Sequence, residues 1–287
     1  MDKKIAFIAD SCADLPGETL KREDVFVLPV TVSCEGKDYL DGKDIHADRI
    51  YELQKKGELP STSLPSGEQV ETLLQRVKDG GYDKAVVITM SSAISGTWNM
   101  CRLLCGEYVG LDCLVFDSGM ASLAEGALLV ELIDEVDAGL VDWEGIPERL
   151  KELKENTHPY FGLDTLEFLQ KNGRIGKAAA MAGNLLNLMP ILSFDEKGVI
   201  TPVEKVRGKK KRLLHLKNHA VEMAKQYGKC RLYFVDGGCT EMVEELKQSI
   251  LKELGEDVKT MTSPLGCALA VHLGENLVGV CVQEVKE

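Results

Sequence analysis

The chain has 287 residues, of which 44% are hydrophobic, and this is enough apolar material to bury a full core. The length suggests two domains, and the formal net charge of −12 argues against a protein whose main role is to bind nucleic acid or an anionic membrane surface. No stretch approaches the roughly 18 apolar residues of a membrane-spanning helix, so we expect no stable membrane insertion. The first residues do not form a secretory leader, which predicts a cytoplasmic protein.

The nine cysteines are scattered along the chain, without a Cys-x-x-Cys pair or a Cys/His pair at zinc-ligand spacing. We therefore expect reduced thiols that are mostly buried, and no metal. Cys101 and Cys105 would share one helix face. That spacing suits a metal, but it also suits two small core residues, which is the interpretation we adopt.

In the first half of the chain, short apolar runs alternate with amphipathic helical segments. The predicted strands cover residues 5–9, 25–32, 84–90 and 112–116, with a hairpin arm at Tyr39. The predicted helices cover residues 48–56, 67–79, 98–105, 121–138 and 148–155. This alternation is typical of a parallel α/β sheet with helices on both faces, so we predict a three-layer α/β domain over residues 1–155.

From residue 156 onward the pattern changes. Two strands that flank a Glu-Lys-Gly turn predict an antiparallel hairpin. The predicted strands cover residues 160–163, 191–194, 199–206, 231–235, 258–261 and 277–282, and the predicted helices cover residues 164–172, 209–227 and 240–254. Pro190 is expected to end an apolar segment over 177–189. The sequence therefore predicts a second, α+β domain over residues 156–287.

Residues 91–97, read as Ser-Ser-Ala-Ile-Ser-Gly-Thr, connect a buried strand to a helix. Small hydroxyl residues and free backbone N–H groups at the start of a helix favour an anion there. The alternative is an ordinary helix cap, because Ser and Thr are preferred caps of any helix.

Polar residues also follow the other predicted strands of the first half. Asp10-Ser11 and Asp117-Ser118 stand at strand ends, and residues 60–66 form a loop with four hydroxyls and two prolines. Ligands of parallel sheets bind beyond the carboxyl ends of the strands. We therefore expect these groups to gather around residues 91–97 as an anion-binding site. For the 60–66 loop, the alternative is a solvated turn whose Ser66 caps the next helix.

Several short motifs occur in a fixed order along nearly the whole chain. They are Thr62 to Ser66, Ser95 to Thr97, Phe116 to Ser118, Leu166 to Leu169 with Gly173 to Ile175, Asn187 to Leu192, Lys205 to Lys210 and Gly266 to His272. In this order and spacing the chain resembles the DegV family of bacterial lipid-binding proteins.

The resemblance implies a two-domain protein that holds one long-chain fatty acid, such as palmitate, in an apolar tunnel. The hydroxyls of Thr62 and Ser95 would bind the carboxylate, and His272 stands where the family has a histidine near it. The supporting loop residues would be Ser63, Ser92, Gly96 and Thr97. No cofactor is implied beyond the fatty acid itself.

The family performs no chemistry unaided. In some members, called FakB, the bound fatty acid is presented to a separate ATP-binding kinase subunit, which makes an acyl phosphate for phospholipid synthesis. The resemblance implies that Arg207 docks that subunit. Arg207 and residues 209–212 form a dense basic run that opposes the helix dipole, although a solvated helix face would also explain the run.

A fatty acid would be held mainly through its tail. Burying about 15 methylenes at ~0.8 kcal/mol each gives an upper bound of roughly 12 kcal/mol, whereas paired hydroxyls and N–H groups set the orientation of the carboxylate. The small and flexible side chains of residues 178–189 suit a tunnel wall, and they also suit an ordinary core helix.

Two features leave alternatives open. The Gly-Pro-Gly that follows the family's histidine is Gly274-Glu275-Asn276 here, so His272 is either a ligand contact or a structural histidine. His46, His158, His215 and His219 have no partner that the sequence names, and residues 173–176 are read as a turn that ends a helix.

Two other functions compete with a fatty-acid carrier. A serine acyl hydrolase would use Ser95 as nucleophile and His272 as base, with Asp10 or Asp117 orienting the imidazole. The chain has no Gly-x-Ser-x-Gly elbow, which argues against this activity. A regulatory sensor would bind a small anion in the 91–97 loop.

Overall fold

The computed structural model describes residues 4–181 and 188–286, and these residues form three β-sheets with helices packed around them. The strands are β1 (Ile5–Asp10), β2 (Val25–Leu28), β3 (Thr31–Cys34), β4 (Lys37–Leu40), β5 (Ser61–Ser63), β6 (Lys84–Thr89), β7 (Asp112–Asp117), β8 (Thr157–Gly162), β9 (Leu188–Phe194), β10 (Ile200–Arg207), β11 (Cys230–Gly237), β12 (Lys259–Pro264) and β13 (Leu277–Glu284). The α-helices are α1 (Ala47–Lys55), α2 (Gly67–Asp79), α3 (Thr97–Glu107), α4 (Leu123–Asp137), α5 (Ile146–Glu155), α6 (Glu167–Lys171), α7 (Lys209–Ala224), α8 (Thr240–Leu254) and α9 (Cys267–Leu273). Within these ranges no helix is both long enough and apolar enough to cross a bilayer.

The first sheet contains four parallel strands in the order β2-β1-β6-β7. Successive residues of its central strands point to opposite faces, and both faces are buried. Ala6 and Ile8 contact α2 and α3, whereas Phe7 and Ala9 belong to the core on the side of α4. This burial on both faces explains why the strands are continuous apolar runs, and it confirms the predicted three-layer arrangement.

The second sheet has six strands in the order β10-β9-β8-β13-β11-β12. The β9–β10 hairpin is antiparallel, as predicted, and the pair β11–β12 is parallel, so the sheet is mixed. Helices α7 and α8 cover one face, and α4 packs on the other. Because α4 also packs on the first sheet, twelve of its fifteen residues are buried, and these include three of its five acidic residues.

The chain passes from one sheet to the next immediately after α5, which ends at Glu155, and β8 begins at Thr157. One core cluster contains residues of both sheets and of α4. The parallel sheet and the mixed sheet are observed in the structure. The division of the chain into two domains, at 1–155 and 156–287, remains a proposal.

The prediction of one strand over residues 25–32 is wrong. Residues 25–28 pair with β1, whereas β3 lies in a separate small sheet between β4 and β5. The break falls at Pro29, which has no N–H for a strand ladder. The next N–H, that of Val30, is donated to Ser11 Oγ at 3.0 Å.

Three other segments differ from the prediction. Residues 61–63, predicted as loop, form β5, in which Thr62 pairs with Val32 of β3. Pro190, expected to end a helical segment, lies within β9 opposite Lys205. Helix α9 was not predicted at all. By contrast, the predicted helix 67–79 is confirmed at both ends, since α2 spans Gly67–Asp79. Ser66 and Gln69 form a capping box at its start.

All nine cysteines are free thiols, and seven of them are buried. Cys101 and Cys105 lie in the core that α2 and α3 form on the first sheet. They are small core residues, as we interpreted them from the sequence.

Candidate ligand-binding site

A cavity of about 280 Å³ lies between the parallel sheet and the mixed sheet. Most of its wall is apolar and comes from strands of both sheets, from the start of α4 and from α9. Representative wall residues are Met90, Ala124, Phe161, Phe194, Ile200, Val235, Leu269 and Cys281. The cavity therefore offers a mostly apolar environment to a ligand.

Polar side chains in the lining come from separate elements of the fold. They are Thr62 and Ser63 on β5, Ser95 in the loop before α3, Ser122 before α4, Arg174 after α6 and His272 on α9. The hydroxyl of Thr62 lies 2.7 Å from Nε2 of His272. Two residues that are 210 positions apart thus form one polar group in the cavity wall.

His272 is half-buried, and its second ring nitrogen, Nδ1, has no hydrogen-bond partner within the described chain. Burial, together with the positive charge of Arg174, lowers the pKa of His272 to about 4. The imidazole is therefore neutral at pH 7, with one N–H donor and one acceptor. When Thr62 donates to Nε2, the proton resides on Nδ1 and is free to be donated to a ligand.

Ser95 is held by the first residue of the following helix. Its Oγ lies 2.8 Å from Oγ1 of Thr97 and accepts the Thr97 backbone N–H at 3.3 Å. Thr97 is fully buried, while Ser95 and Gly96 line the cavity. Thr97 thus stands behind Ser95 and fixes the direction of its hydroxyl.

The first two serines of this loop turn away from the cavity. Ser91 Oγ donates to the carbonyl of Gly198 at 2.8 Å, which ties the loop to the β9–β10 turn. Ser92 donates its backbone N–H to Asp117 Oδ1 and its hydroxyl to Asp117 Oδ2. Five of the seven residues predicted for the ligand site are among the described residues that line the cavity, and Ser92 and Thr97 are not. The five are Thr62, Ser63, Ser95, Gly96 and His272.

The polar strand ends do gather at one edge of the sheet, but their carboxylates bind protein groups. Asp10 is 1% exposed and accepts the N–H groups of Cys12 at 2.9 Å and Met90 at 2.8 Å. Burial raises the pKa of Asp10 to about 7. Asp117 accepts from Ser92 and from the N–H of Gly119 at 3.0 Å.

The arrangement that a serine hydrolase needs is not assembled. Ser95 pairs with Thr97, and Nε2 of His272 pairs with Thr62. Within the described chain no hydrogen bond joins Ser95 to His272, and the carboxylates of Asp10 and Asp117 are bound elsewhere. A nucleophile, a base and an orienting acid therefore do not form a connected series here.

The turn after α9 keeps His272 in place despite its departure from Gly-Pro-Gly. Gly274 has φ +73° and packs so closely on Phe168 that a Cβ would lie 2.7 Å from that ring. Asn276 has φ +67°, a conformation that Asn tolerates better than most residues. Its side-chain amide donates to Asp164 at 3.1 Å.

Only part of the basic run lies on the surface. Arg207 and residues 209–211 are exposed. Arg212 is fully buried, with Nη1 2.7 Å from Asp164 Oδ1 and Nη2 3.3 Å from the carbonyl of Asn276. Arg212 therefore does not belong to the basic surface that the sequence suggested, because its own side chain is buried and pairs with Asp164 and a carbonyl.

Arg174 lines the cavity, but we assigned it no role from the sequence, since we named residues 173–175 only as a family motif and residues 173–176 as a turn. It donates to the carbonyl of Asn172 at 2.7 Å. The two flanking glycines, both with positive φ, were the available signal for a specially shaped turn. A guanidinium at this end of the cavity favours an anionic ligand.

Three other histidines have protein partners that the sequence did not reveal. His215 and His219 both lie within hydrogen-bond distance of Glu204 Oε2, at 2.9 and 3.2 Å. His158 pairs with the hydroxyl of Tyr227. The side chain of His46 makes no cap hydrogen bond at the start of α1.

The apolar segment proposed as a tunnel wall is only partly described. Ala178 and Met181 are buried in the main core, in a 3-10 helix over Gly176–Met181. Residues 182–187 lie outside the described residues. No residue of the described part, 178–181, belongs to the cavity lining.

The fold and the site together define a class of α/β proteins in which a parallel sheet and a mixed sheet enclose an apolar cavity. Hydroxyl groups and an imidazole form the polar part of its wall. The chain belongs to the DegV family, since the model of that family, described as an uncharacterised protein, matches residues 4–285. A DegV domain-containing protein from Clostridium acetobutylicum is 34% identical over 288 residues, 98% of this chain and 99% of the relative.

Solved structures share this fold. A DegV family protein from Thermus thermophilus, described as fatty acid binding, has a TM-score of 0.91 and 29% identity, over 98% of this chain and 100% of that one. A stearic acid-binding protein from Eubacterium ventriosum has a TM-score of 0.88 and 25% identity, over 98% of each chain. The family and the fold class predicted from the sequence are confirmed.

Proposed function

We propose that this protein binds one long-chain fatty acid non-covalently, with the acyl chain in the cavity and the carboxylate at its polar end. The observation that carries the proposal is an apolar cavity whose wall contains the hydrogen-bonded pair Thr62 and His272. Similar structures that are described as fatty acid binding and stearic acid-binding support the same ligand class.

The carboxylate would accept hydrogen bonds from Thr62, Ser95 and His272. All three are neutral at pH 7, so Arg174 supplies the positive charge in the lining. A charge-assisted hydrogen bond is stronger than a neutral one, and the carboxylate has several lone pairs to share.

The remaining residues of the predicted site would support this arrangement. Ser63 and Gly96 line the cavity, and Thr97 directs the hydroxyl of Ser95. Ser92 holds the loop onto Asp117. In the proposed division of labour, the domain over 1–155 supplies the hydroxyls, and the domain over 156–287 supplies His272, Arg174 and much of the apolar wall.

Mass spectrometry of the purified protein tests this proposal. We expect a native mass that exceeds the chain mass by one fatty acid, and a fatty acid in the organic extract after denaturation. A protein that carries no lipid and also fails to bind added palmitate or oleate would refute the proposal. Turnover of p-nitrophenyl palmitate would instead indicate the hydrolase, and binding of phosphate without lipid would indicate the small-anion sensor.

We also propose that the bound fatty acid is presented to an ATP-binding kinase subunit, and that Arg207 contributes to docking. Arg207 is exposed at the end of β10, beside three exposed lysines on an otherwise acidic protein. Such a local patch complements an acidic partner surface and speeds association.

Acyl phosphate formation from the lipid-loaded protein, ATP and a fatty acid kinase subunit tests the docking role. We expect Arg207→Ala to lower the rate several-fold while the fatty acid affinity stays unchanged. Lys229→Ala, which removes an exposed cation elsewhere, serves as the matched control. Equal rates for Arg207→Ala and the control would contradict the role of Arg207.

A further inference from the structure

We propose, on the basis of the proposed function, that Asp41 and Gln54 are positioning residues that set the His272 imidazole at the carboxylate end of the cavity. His272 lies in the last turn of α9, which has seven residues. A helix this short is not stable on its own, so its place in the protein depends on what holds its two ends.

The start of α9 is held by two buried carboxylates. Asp41 Oδ1 accepts the N–H groups of Cys267 at 2.9 Å and Ala268 at 3.1 Å, and Asp14 Oδ1 accepts that of Gly266 at 2.8 Å. These are the free N–H groups of the first turn, and they form the positive end of the helix dipole. The oxygens of these two side chains accept the N–H groups at that end of the helix.

The end of α9 is held by amide donors. Gln54 Nε2 donates to the carbonyls of Ala270 at 3.0 Å and Val271 at 3.2 Å, and Asn172 Nδ2 donates to that of Val271 at 3.1 Å. These carbonyls precede His272 by two residues and one residue. Gln54 thus fixes the backbone that carries the imidazole.

Asp41 and Gln54 belong to one short stretch of chain, 41–54, that includes most of α1, and α1 packs along α9. One segment therefore holds both ends of the helix, although it lies more than 200 residues away in sequence. Asp41 is in turn fixed by Ser11, whose hydroxyl donates to Oδ2 at 2.8 Å.

The position of α9 matters because the hydrogen bond between Thr62 and His272 is short and directional. A shift of about 1 Å would lengthen this 2.7 Å contact beyond hydrogen-bond range. The ring would then lose its orientation toward a ligand carboxylate. Loss of Gln54 or Asp41 should therefore weaken recognition of the carboxylate, and leave binding of the acyl chain intact.

Comparison of palmitate with hexadecanol separates these two effects, since the ligands share a chain and differ in the head group. We expect the wild-type protein to prefer palmitate by on the order of tenfold or more, the value of a charge-assisted hydrogen bond. Gln54→Met keeps the side-chain length and removes the donor. We expect it to reduce the preference several-fold, because Thr62, Ser95 and Arg174 remain, with hexadecanol affinity within about twofold of wild type.

Matched variants check that the effect comes from positioning. Gln248→Met removes an exposed amide that bonds only to Glu244 on α8, and should leave the preference unchanged. Asp41→Asn keeps one acceptor oxygen and should retain more of the preference than Asp41→Leu. The chemical shift of the His272 ring nitrogens, measured by NMR, should move in Gln54→Met and not in Gln248→Met.

Two results would overturn the positioning role. Either Gln54→Met and Asp41→Leu keep the wild-type preference, or both ligands weaken in parallel, as a purely structural role predicts. A wild-type protein that binds both ligands equally would instead refute the proposed carboxylate site, and the positioning role with it.

Discussion

The loops after β1 and β6 leave the same edge of the parallel sheet, yet they contain opposite chemistry. After β1, Asp10 and Asp14 are buried and accept N–H groups of the protein. After β6, Ser95 presents its hydroxyl to the cavity. The comparison shows how one sheet edge serves two tasks: acidic groups hold neighbouring segments together, while neutral donors remain for an anionic ligand.

The separation would also limit repulsion of the proposed fatty acid carboxylate. Like charges that share a site disfavour one another. Burial raises the pKa of Asp14 and of Glu125 well above the usual range and that of Asp10 to about 7. These acids are therefore buried behind the cavity wall, and Asp10 and Asp14 accept backbone N–H groups there.

The largest effect that distinguishes the two loops should be on stability. Asp14→Ala leaves the N–H of Gly266 and the hydroxyl of Ser122 without acceptors. We expect the free energy of unfolding to fall by roughly 2–4 kcal/mol, the cost of leaving two part-buried donors unsatisfied. Denaturant unfolding of the lipid-free protein measures this. Ser95→Ala, in the loop after β6, is the control. A similar loss of unfolding free energy in that variant would contradict the difference between the two loops.

The second effect is a pH dependence that comes from Asp10. Its pKa is about 7 in the folded protein and 3.8 in the unfolded reference, so between these values the folded state holds a proton that the unfolded state has released. The free energy of unfolding contributed by this group therefore decreases as pH rises from about 4 to 7, by at most about 1.4 kcal/mol per pH unit.

Asp10→Asn isolates that contribution, because Asn does not titrate and the other groups are common to both proteins. We expect the stability of wild type relative to Asp10→Asn to fall between pH 5 and 7 and to level off above pH 8. Chemical denaturation at these pH values provides the measurement. A difference that rises with pH would show that Asp10 is ionised in the native state.

The third effect concerns the ligand. Removing both cavity hydroxyls with Thr62→Val and Ser95→Ala should weaken palmitate binding by about 10- to 100-fold, because two hydrogen bonds to a carboxylate are lost. Titration calorimetry gives the affinity, and hexadecanol provides the neutral comparison. Unchanged palmitate affinity would place the carboxylate elsewhere in the cavity.

The smallest expected effect distinguishes a structural serine from a ligand-binding serine within the 91–97 loop. Ser92→Ala removes the hydroxyl that donates to Asp117 and should lower stability by about 1 kcal/mol. Fatty acid affinity should change less than about threefold, since Ser92 lies outside the described cavity lining. Parallel thermal unfolding and ligand titration test this, and a tenfold loss of affinity would make Ser92 a ligand contact.

Local patterns predicted the elements whose stability is local. The helix 67–79 carries its own capping box, and the central strands are apolar on both faces, so periodicity and caps sufficed. The 91–97 loop was also visible, because hydroxyl residues follow a buried strand directly.

The rest depends on distant partners. Residues 61–63 form a strand only because β3 is beside them, and α9 is a helix held by Asp41 and Gln54. Arg174 and Arg212 both look like surface cations in sequence. Only the packing shows that one lines the cavity and the other is buried against Asp164.

The hydrogen bond between Thr62 and His272 has a consequence for how the protein is made. It joins positions 210 residues apart, and contacts of such high sequence separation form late, because a long loop must close first. On the ribosome, His272 is synthesised 210 residues after Thr62. A nascent chain that ends before α9 therefore has the hydroxyls without the imidazole, so the proposed capture of a lipid by its head group would have to wait until α9 has been made.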